Sequence, residues 1–229
     1  MIRIFIILIL LLIPILSFGQ GKVTRPQKQA PHQSVVPKEN DIKEPTFGTA
    51  NGHDWVDLGL PSGTKWATCN VGASVPYDCG YYLSWGGLYI PKDEIYSREN
   101  APLYGSSIKD ISGNSSYDPA RAKWGGKWRM PTKDEFIELT KHCDCRIGFV
   151  NGVKGCVITG KNGNTIFLPF NGVKSGSIKS NLALDVTIWL STAESIEMAY
   201  LLVCGEEGFK TSSCNNKNVG YPVRPVLSK

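Results

Sequence analysis

Thiols, imidazoles and guanidinium groups are the side chains of this sequence with most chemistry to offer. It holds seven cysteines, Cys69, Cys79, Cys143, Cys145, Cys156, Cys204 and Cys214, all beyond residue 51. An odd number leaves at least one thiol outside any pairing within the chain, and spacing does not reveal connectivity. His142-Cys143-Asp144-Cys145 invites a zinc reading. Zinc, however, takes four N or S ligands in a tetrahedron. A Cys-x-Cys pair beside one His is too cramped for that, and no second Cys-x-x-Cys occurs, so no metal is expected. Besides His142, only His53 and His32 could act as an imidazole base. There is no Gly-x-Ser-x-Gly elbow, no His-Glu-x-x-His, no phosphate-binding loop and no dinucleotide fingerprint. No catalytic residue and no cofactor are assigned, and the chain reads as a non-enzyme. A paired-carboxylate glycosidase needs no local motif, so a polysaccharide-acting enzyme stays as the enzymatic alternative.

Arg129 and Arg224 stand among apolar and proline residues. A guanidinium there could grip an anion through two parallel hydrogen bonds. The preferred reading is that both brace loops on carbonyls or a nearby carboxylate. Trp66, Trp85, Trp128 and Trp189 sit in strand-like segments and are assigned to the core. Trp124, Tyr89, Tyr96 and Tyr104 are the candidate ligand-binding residues, because flat aromatic faces stack on sugars and anchor protein contacts.

The elements that must position these groups are mostly short strands. Val56 and Leu58 alternate with polar neighbours, and strands are expected at Trp55–Leu58, Lys65–Cys69, Gly80–Trp85, Thr187–Ser191, Met198–Cys204 and Tyr221–Leu227. Asn151-Gly152 and Asn162-Gly163, each between apolar runs, predict two type I′ turns and a three-stranded meander over 146–170. Thr132-Lys133-Asp134-Glu135 is a capping box, followed at helical spacing by Phe136, Leu139, Thr140 and Cys143. Asp118-Pro119 opens a second, short helix running to about Lys123. Two stretches, 86–117 and 171–185, lack periodicity. Long irregular loops are often functional, and removal of 90–115 is expected to spare the fold.

Residues 2–19 read IRIFIILILLLIPILSFG. One cation, Arg3, precedes an apolar run that Pro14 interrupts, and Ser17-Phe18-Gly19 suits cleavage. This is the layout of a secretory signal, assigned to 1–19. A spanning helix wants about 20 apolar residues, so stable membrane insertion is not expected after cleavage, and the protein should be periplasmic, cell-surface or extracellular. Export would permit disulfides. Residues 20–50 are rich in Pro, Lys, Gln and Glu with one aromatic, Phe47, and read as a disordered stalk. The folded domain is assigned to 51–229. An apolar content of 41% with 20% charged residues excludes wholesale disorder, collagen and coiled coil. A net charge of +5 is too mild to imply nucleic acid.

A set of motifs carries a resemblance. These are His53-Asp54-Trp55-Val56-Asp57-Leu58-Gly59-Leu60-Pro61-Ser62-Gly63, Trp66-Ala67-Thr68-Cys69-Asn70-Val71-Gly72-Ala73, Trp124-Gly125-Gly126-Lys127-Trp128-Arg129-Met130-Pro131-Thr132 with Glu135, Ile166-Phe167-Leu168-Pro169 after a Gly-Lys-Asn-Gly-Asn hairpin, Trp189-Leu190-Ser191-Thr192, and Tyr221-Pro222-Val223-Arg224-Pro225-Val226. In this order, over about 53–227, they resemble the Fibrobacter succinogenes major paralogous domain family. That family is common in exported Bacteroidetes proteins and similar to the DUF1566 domains of bacterial surface proteins. The resemblance implies an α+β, C-type-lectin-like fold: a twisted antiparallel sheet, two helices and long irregular loops. It also favours a Cys69–Cys143 disulfide. The Glu-Pro-Asn or Gln-Pro-Asp and Trp-Asn-Asp motifs of calcium-dependent lectins are missing, so the standard calcium site is not expected. The function expected is binding or adhesion, with a glycan or surface protein held by loops 86–117 and 171–185. The alternative is a structural subunit of a cell-surface assembly.

Overall fold

The computed structural model describes residues 46–180, 184–211 and 213–228. The signal segment and residues 20–45 of the expected stalk lie outside them. The described chain is a sheet-rich α+β domain with two α-helices. Its elements are β1 (Phe47–Ala50), β2 (His53–Asp57), β3 (Lys65–Ala67), α1 (Pro119–Trp124), β4 (Trp128–Arg129), α2 (Lys133–His142), β5 (Cys143–Val150), β6 (Val153–Gly160), β7 (Thr165–Pro169), β8 (Val173–Ser175), β9 (Ile178–Ser180), β10 (Val186–Ala193), β11 (Met198–Gly205), β12 (Gly208–Lys210), β13 (Cys214–Asn216) and β14 (Val226–Leu227). One sheet runs β1-β2-β3-β14-β4, which seats the last strand between β3 and β4. A second is β10-β11-β12 with β13 also on β11, a third is the meander β5-β6-β7, and β8-β9 is a hairpin. Among the described residues no helix is long and apolar enough to cross a membrane.

Local chemistry explains several of these elements. Thr132 Oγ1 accepts from the Glu135 amide at 3.2 Å, and the Glu135 carboxylate accepts from the Thr132 amide at 2.9 Å. Phe136 and Leu139 of α2 are fully buried. Asp118 caps α1 and does more besides. Its carboxylate accepts from the amides of Ala120, Arg121, Gly113 and Met130, at 2.9, 3.1, 2.7 and 2.8 Å. One buried side chain thus joins a helix start, an upstream loop and the exit of β4. Asn151 and Gly152 both take positive φ, 49° and 78°, as a type I′ turn demands. The other expected turn differs. At Asn162-Gly163 only the glycine has positive φ, and a four-residue link replaces the two-residue turn. The Asn162 side chain is engaged elsewhere, donating to the Asp57 carbonyl at 2.9 Å.

Four expectations are corrected. Among the described residues strand structure begins at Phe47, inside the stretch assigned to the stalk, because Asn51-Gly52 makes another positive-φ turn (48° and 77°) and pairs β1 with β2. Gly80–Trp85 is not a strand; only Leu83 bridges, to Tyr221. Residues 171–185 include the β8–β9 hairpin, whose Gly176 exchanges backbone hydrogen bonds with Tyr96 at 2.8 and 3.0 Å. Finally, 86–117 is not a dispensable loop: Tyr96, Ala101, Leu103 and Ile111 are buried.

The core has two parts. One gathers Trp55, Trp85, Trp128 and Trp189 around β10 and β11. The other lies under α2 and the meander and includes Trp66, Phe136 and Ile158. Trp66, Trp85, Trp128 and Trp189 are wholly buried, as their motifs suggested. Three indole N–H groups donate to backbone carbonyls: Trp85 to Leu190 at 2.9 Å, Trp189 to Leu83 at 2.8 Å and Trp128 to Ala50 at 2.9 Å.

Both arginines brace the fold. Arg129 forks onto Glu135 at 2.5 and 2.7 Å. Burial alone would raise the Glu135 carboxyl, but Arg129 and the Thr132 amide hold it below its ordinary value. Arg224 is fully buried and donates to Asn70 Oδ1 at 2.7 Å, to the carbonyls of Ala67 and Phe167 at 3.0 and 3.1 Å, and to the Thr68 carbonyl at 2.5 Å. Burial pulls its pKa down to about 10, which leaves it a cation at neutral pH.

Arg224→Lys should lower the unfolding free energy by about 2 kcal/mol, since a single ammonium cannot reach acceptors placed for a planar fork. Arg224→Met should lower it by about 3–4 kcal/mol, since buried carbonyls lose their donors. Urea titration reads both as a lower midpoint, and a wild-type midpoint for Arg224→Met would refute the bracing role.

Candidate functional site

The β1–β2 hairpin, the exit of β3 and the C-terminus of α1 meet at one edge of the domain. The Asn51 side chain donates to the Trp124 carbonyl at 3.0 Å, which docks the hairpin on α1. Gly126 makes this approach close: a Cβ there would lie 2.7 Å from Asn51 Nδ2. The His53 ring stacks on Trp124 with centroids 3.7 Å apart and planes 7° from parallel. Trp128 meets Trp124 edge-on at 5.0 Å. In front of this stack is a cleft of about 350 Å³, lined by His53, Asp54, Thr68, Cys69, Ser74 and Trp124.

An aromatic platform adjoins the cleft. Gly72, at φ 83°, lets the Tyr81 ring lie on the backbone, where a Cβ would come within 2.5 Å of it. Tyr81 and Tyr89 both face Lys123, whose Nζ is 5.5 Å from one ring centroid and 4.8 Å from the other. Tyr89 is 76% exposed and Tyr81 39%. Lys123 precedes Trp124 in α1, and Ala73-Ser74, which follow Gly72, wall the cleft. Cleft and platform therefore share α1 and the 72–74 turn. Two tyrosine faces around a cation can stack on a sugar ring or receive an aromatic side chain.

The expected site residues are dispersed. Tyr89 is exposed as expected, and Trp124 contributes an edge to the cleft although it is largely buried. Tyr104 is half-buried, with the Arg98 guanidinium 5.0 Å from its ring centroid. Tyr96 is a core residue at 2% exposure; its hydroxyl donates to the Tyr82 carbonyl at 2.7 Å, and burial pushes its pKa up to about 12. Its ring fills the space above Gly220, where a Cβ would stand 2.4 Å away. Arg129 and Arg224 brace the fold as described. Residue-type reasoning missed Tyr81, Lys123 and His53. The Tyr81-Tyr82 pair carried a usable signal, since in an extended segment neighbours face opposite sides: Tyr82 is buried and Tyr81 is not.

The expected Cys69–Cys143 bridge is absent. Both are free thiols. Cys69 lines the cleft, and its sulfur accepts from the Thr68 hydroxyl at 3.7 Å. Cys143 belongs to the core beneath α2 and the meander, where burial pushes its thiol up to about 11. The helix ends at His142, so Cys143 opens β5 and turns into that core. The thiols that do converge are Cys145, Cys156 and Cys204, whose sulfurs lie within 4.8 Å of one another.

No family model, no curated protein and no solved structure matches the chain.

Burial holds the His53 imidazole below its usual 6.5, with the Asp54 carboxylate pulling the other way. The fold thus favours the neutral ring. Its contribution to stability is complete above the unfolded value and declines as pH falls below it, until the folded protein also takes the proton. His53→Phe keeps a ring on Trp124 and removes the titration. The difference in unfolding free energy between wild type and this variant should therefore change with pH below 6.5. An NMR midpoint for His53 at or above 6.5 would contradict this.

Proposed function

We propose that this protein is an exported, non-enzymatic binding module of C-type-lectin-like fold, related to the Fibrobacter succinogenes major paralogous domains. It holds a glycan on the Tyr81–Lys123–Tyr89 platform and the adjoining cleft, without the standard lectin calcium site. The observation that carries this reading is the pair of solvent-facing tyrosine rings about Lys123. The motif order supports the family assignment, and the apolar segment at 2–19 supports export. Fold kinship alone would be a weak warrant for function, so the weight rests on the platform. Of the two loops first assigned to the ligand, 86–117 contributes Tyr89 to this face.

A surface protein as ligand is the second reading. It is favoured by Ile178 and Leu184 in the 171–185 stretch, 71% and 72% exposed, since apolar side chains standing in water suit a protein contact.

The test is the full chain on an array of plant, bacterial and sulfated glycans, in calcium and in EDTA. Binding should survive EDTA. Tyr89→Ala and Tyr81→Ala should each weaken it by roughly tenfold while leaving the circular dichroism spectrum unchanged. Binding abolished by EDTA, or indifferent to both substitutions, would sink the glycan reading. Silence across the array with capture of a surface protein would replace it with the second.

A further inference from the structure

Three thiols from two sheets meet inside the domain. Cys145 is on β5, Cys156 on β6 and Cys204 on β11. The hairpin register brings the first two together. Cys145 stands opposite Ile158 and Cys156 opposite Ile147, so the cysteines are diagonal neighbours on one face of the β5–β6 hairpin. Cys204 reaches them from the other sheet, where it pairs with Val186 and Phe209. Cys156 and Cys204 are fully buried, and Cys145 is partly exposed. Their neighbours in this part of the core include Phe136, Ile158, Val186 and Leu202.

A disulfide would use two of these sulfurs and leave the third alone in an apolar site. All three are close enough to share one centre instead. Thiolates are strong, soft donors that select zinc and copper(I). In an apolar core such anions also need a cation for compensation. Asp185, ion-paired with Lys210 at 3.2 Å, stands close to the cluster: its carboxylate acts electrostatically on Cys156, and a Cβ on Gly205, the residue after Cys204, would lie 2.0 Å from Asp185 Oδ1. Asp185 also lines a cavity of about 360 Å³ with Lys154, Leu184, Glu206 and Lys210.

The geometry points to a thiophilic metal site in which Cys145, Cys156 and Cys204 bind one soft ion as thiolates, either Cu⁺ held by the three sulfurs or Zn²⁺ with a water in its fourth position. The thiol protons pass to solvent on binding, and no electron is transferred. The ion ties the β5–β6–β7 sheet to β11, so its role is structural and separate from the platform.

The full chain, reduced and held under argon, is titrated with Co²⁺ as a spectroscopic stand-in for Zn²⁺, then in a separate arm with Cu⁺. About one equivalent should bind, with thiolate-to-cobalt charge-transfer absorption in the first arm, and the better of the two natural ions should raise Tm. Cys204→Ala should abolish the absorption, and Cys214→Ala, outside the cluster, should leave it unchanged. Cys145→Ser is the second variant, because its position is partly exposed and tolerates a hydroxyl. It should weaken binding by at least about 100-fold with an unchanged circular dichroism spectrum. Absence of charge transfer at stoichiometric ion in both arms would overturn the site. So would a bond between two of these three cysteines mapped by mass spectrometry in protein prepared without reductant and carrying no metal.

Discussion

A buried guanidinium organises this domain. Arg224 lies at the seam between the two parts of the core, beside Val223 of one and two residues before Val226 of the other. It reaches the carbonyls of Ala67 and Thr68 and the Asn70 side chain on one side, and the Phe167 carbonyl of β7 on the other. Desolvating a cation is expensive, and here its charge is spread over three carbonyl dipoles and an amide oxygen. A rigid planar fork can satisfy that arrangement, whereas a lysine could not. The backbone next to it follows the same path, with Ala67 donating to Pro225 at 3.0 Å and Val71 to Val223 at 2.9 Å. Thr68, Cys69 and the 72–74 turn are thereby held, and they are one wall of the cleft.

Much of the chain between α1, β3 and β10 lacks strand ladders, so side chains close the hydrogen-bond account there. Asp118 collects four amides, Arg129 and Glu135 combine an ion pair with a helix cap, and indole N–H groups answer lone carbonyls. Buried backbone groups must find partners in one way or another. These devices give irregular segments defined positions, and they are why 86–117 can bury Leu103 and Ile111 while presenting Tyr89 to solvent. A ligand on the proposed platform would meet side chains that the fold already positions, which limits the ordering entropy of binding.

Local chemistry was legible in the residues themselves. The capping box at Thr132–Glu135, the Asp118 cap with Pro119, and the meander around Asn151-Gly152 each depend on neighbours within a few positions, and each stands where its signal placed it. Burial of Trp66, Trp85, Trp128 and Trp189 was legible too, because large aromatics in apolar motifs have few other places to go. Gly80–Trp85 misled for the opposite reason. Its composition suits a strand, but its partners lie far away: Tyr221 bridges Leu83, and Lys217 accepts from the Trp85 amide at 2.8 Å.

Residue type and short spacing therefore determined the sheet-rich class, the two helices, the Asn151-Gly152 turn and the aromatic core. Tertiary structure alone decided which tyrosine is a wall and which is a surface. Tyr96 is buried because Gly220, more than a hundred residues on, leaves room for its ring, and Tyr89 stands in solvent with Lys123 over its ring. It also decided which thiols meet. Cys145 and Cys156 share a face through local register, a signal present in the hairpin, but Cys204 joins them only when β11 packs across from the meander. Contacts between residues distant in sequence depend on how sheets stack, and no local propensity encodes that distance.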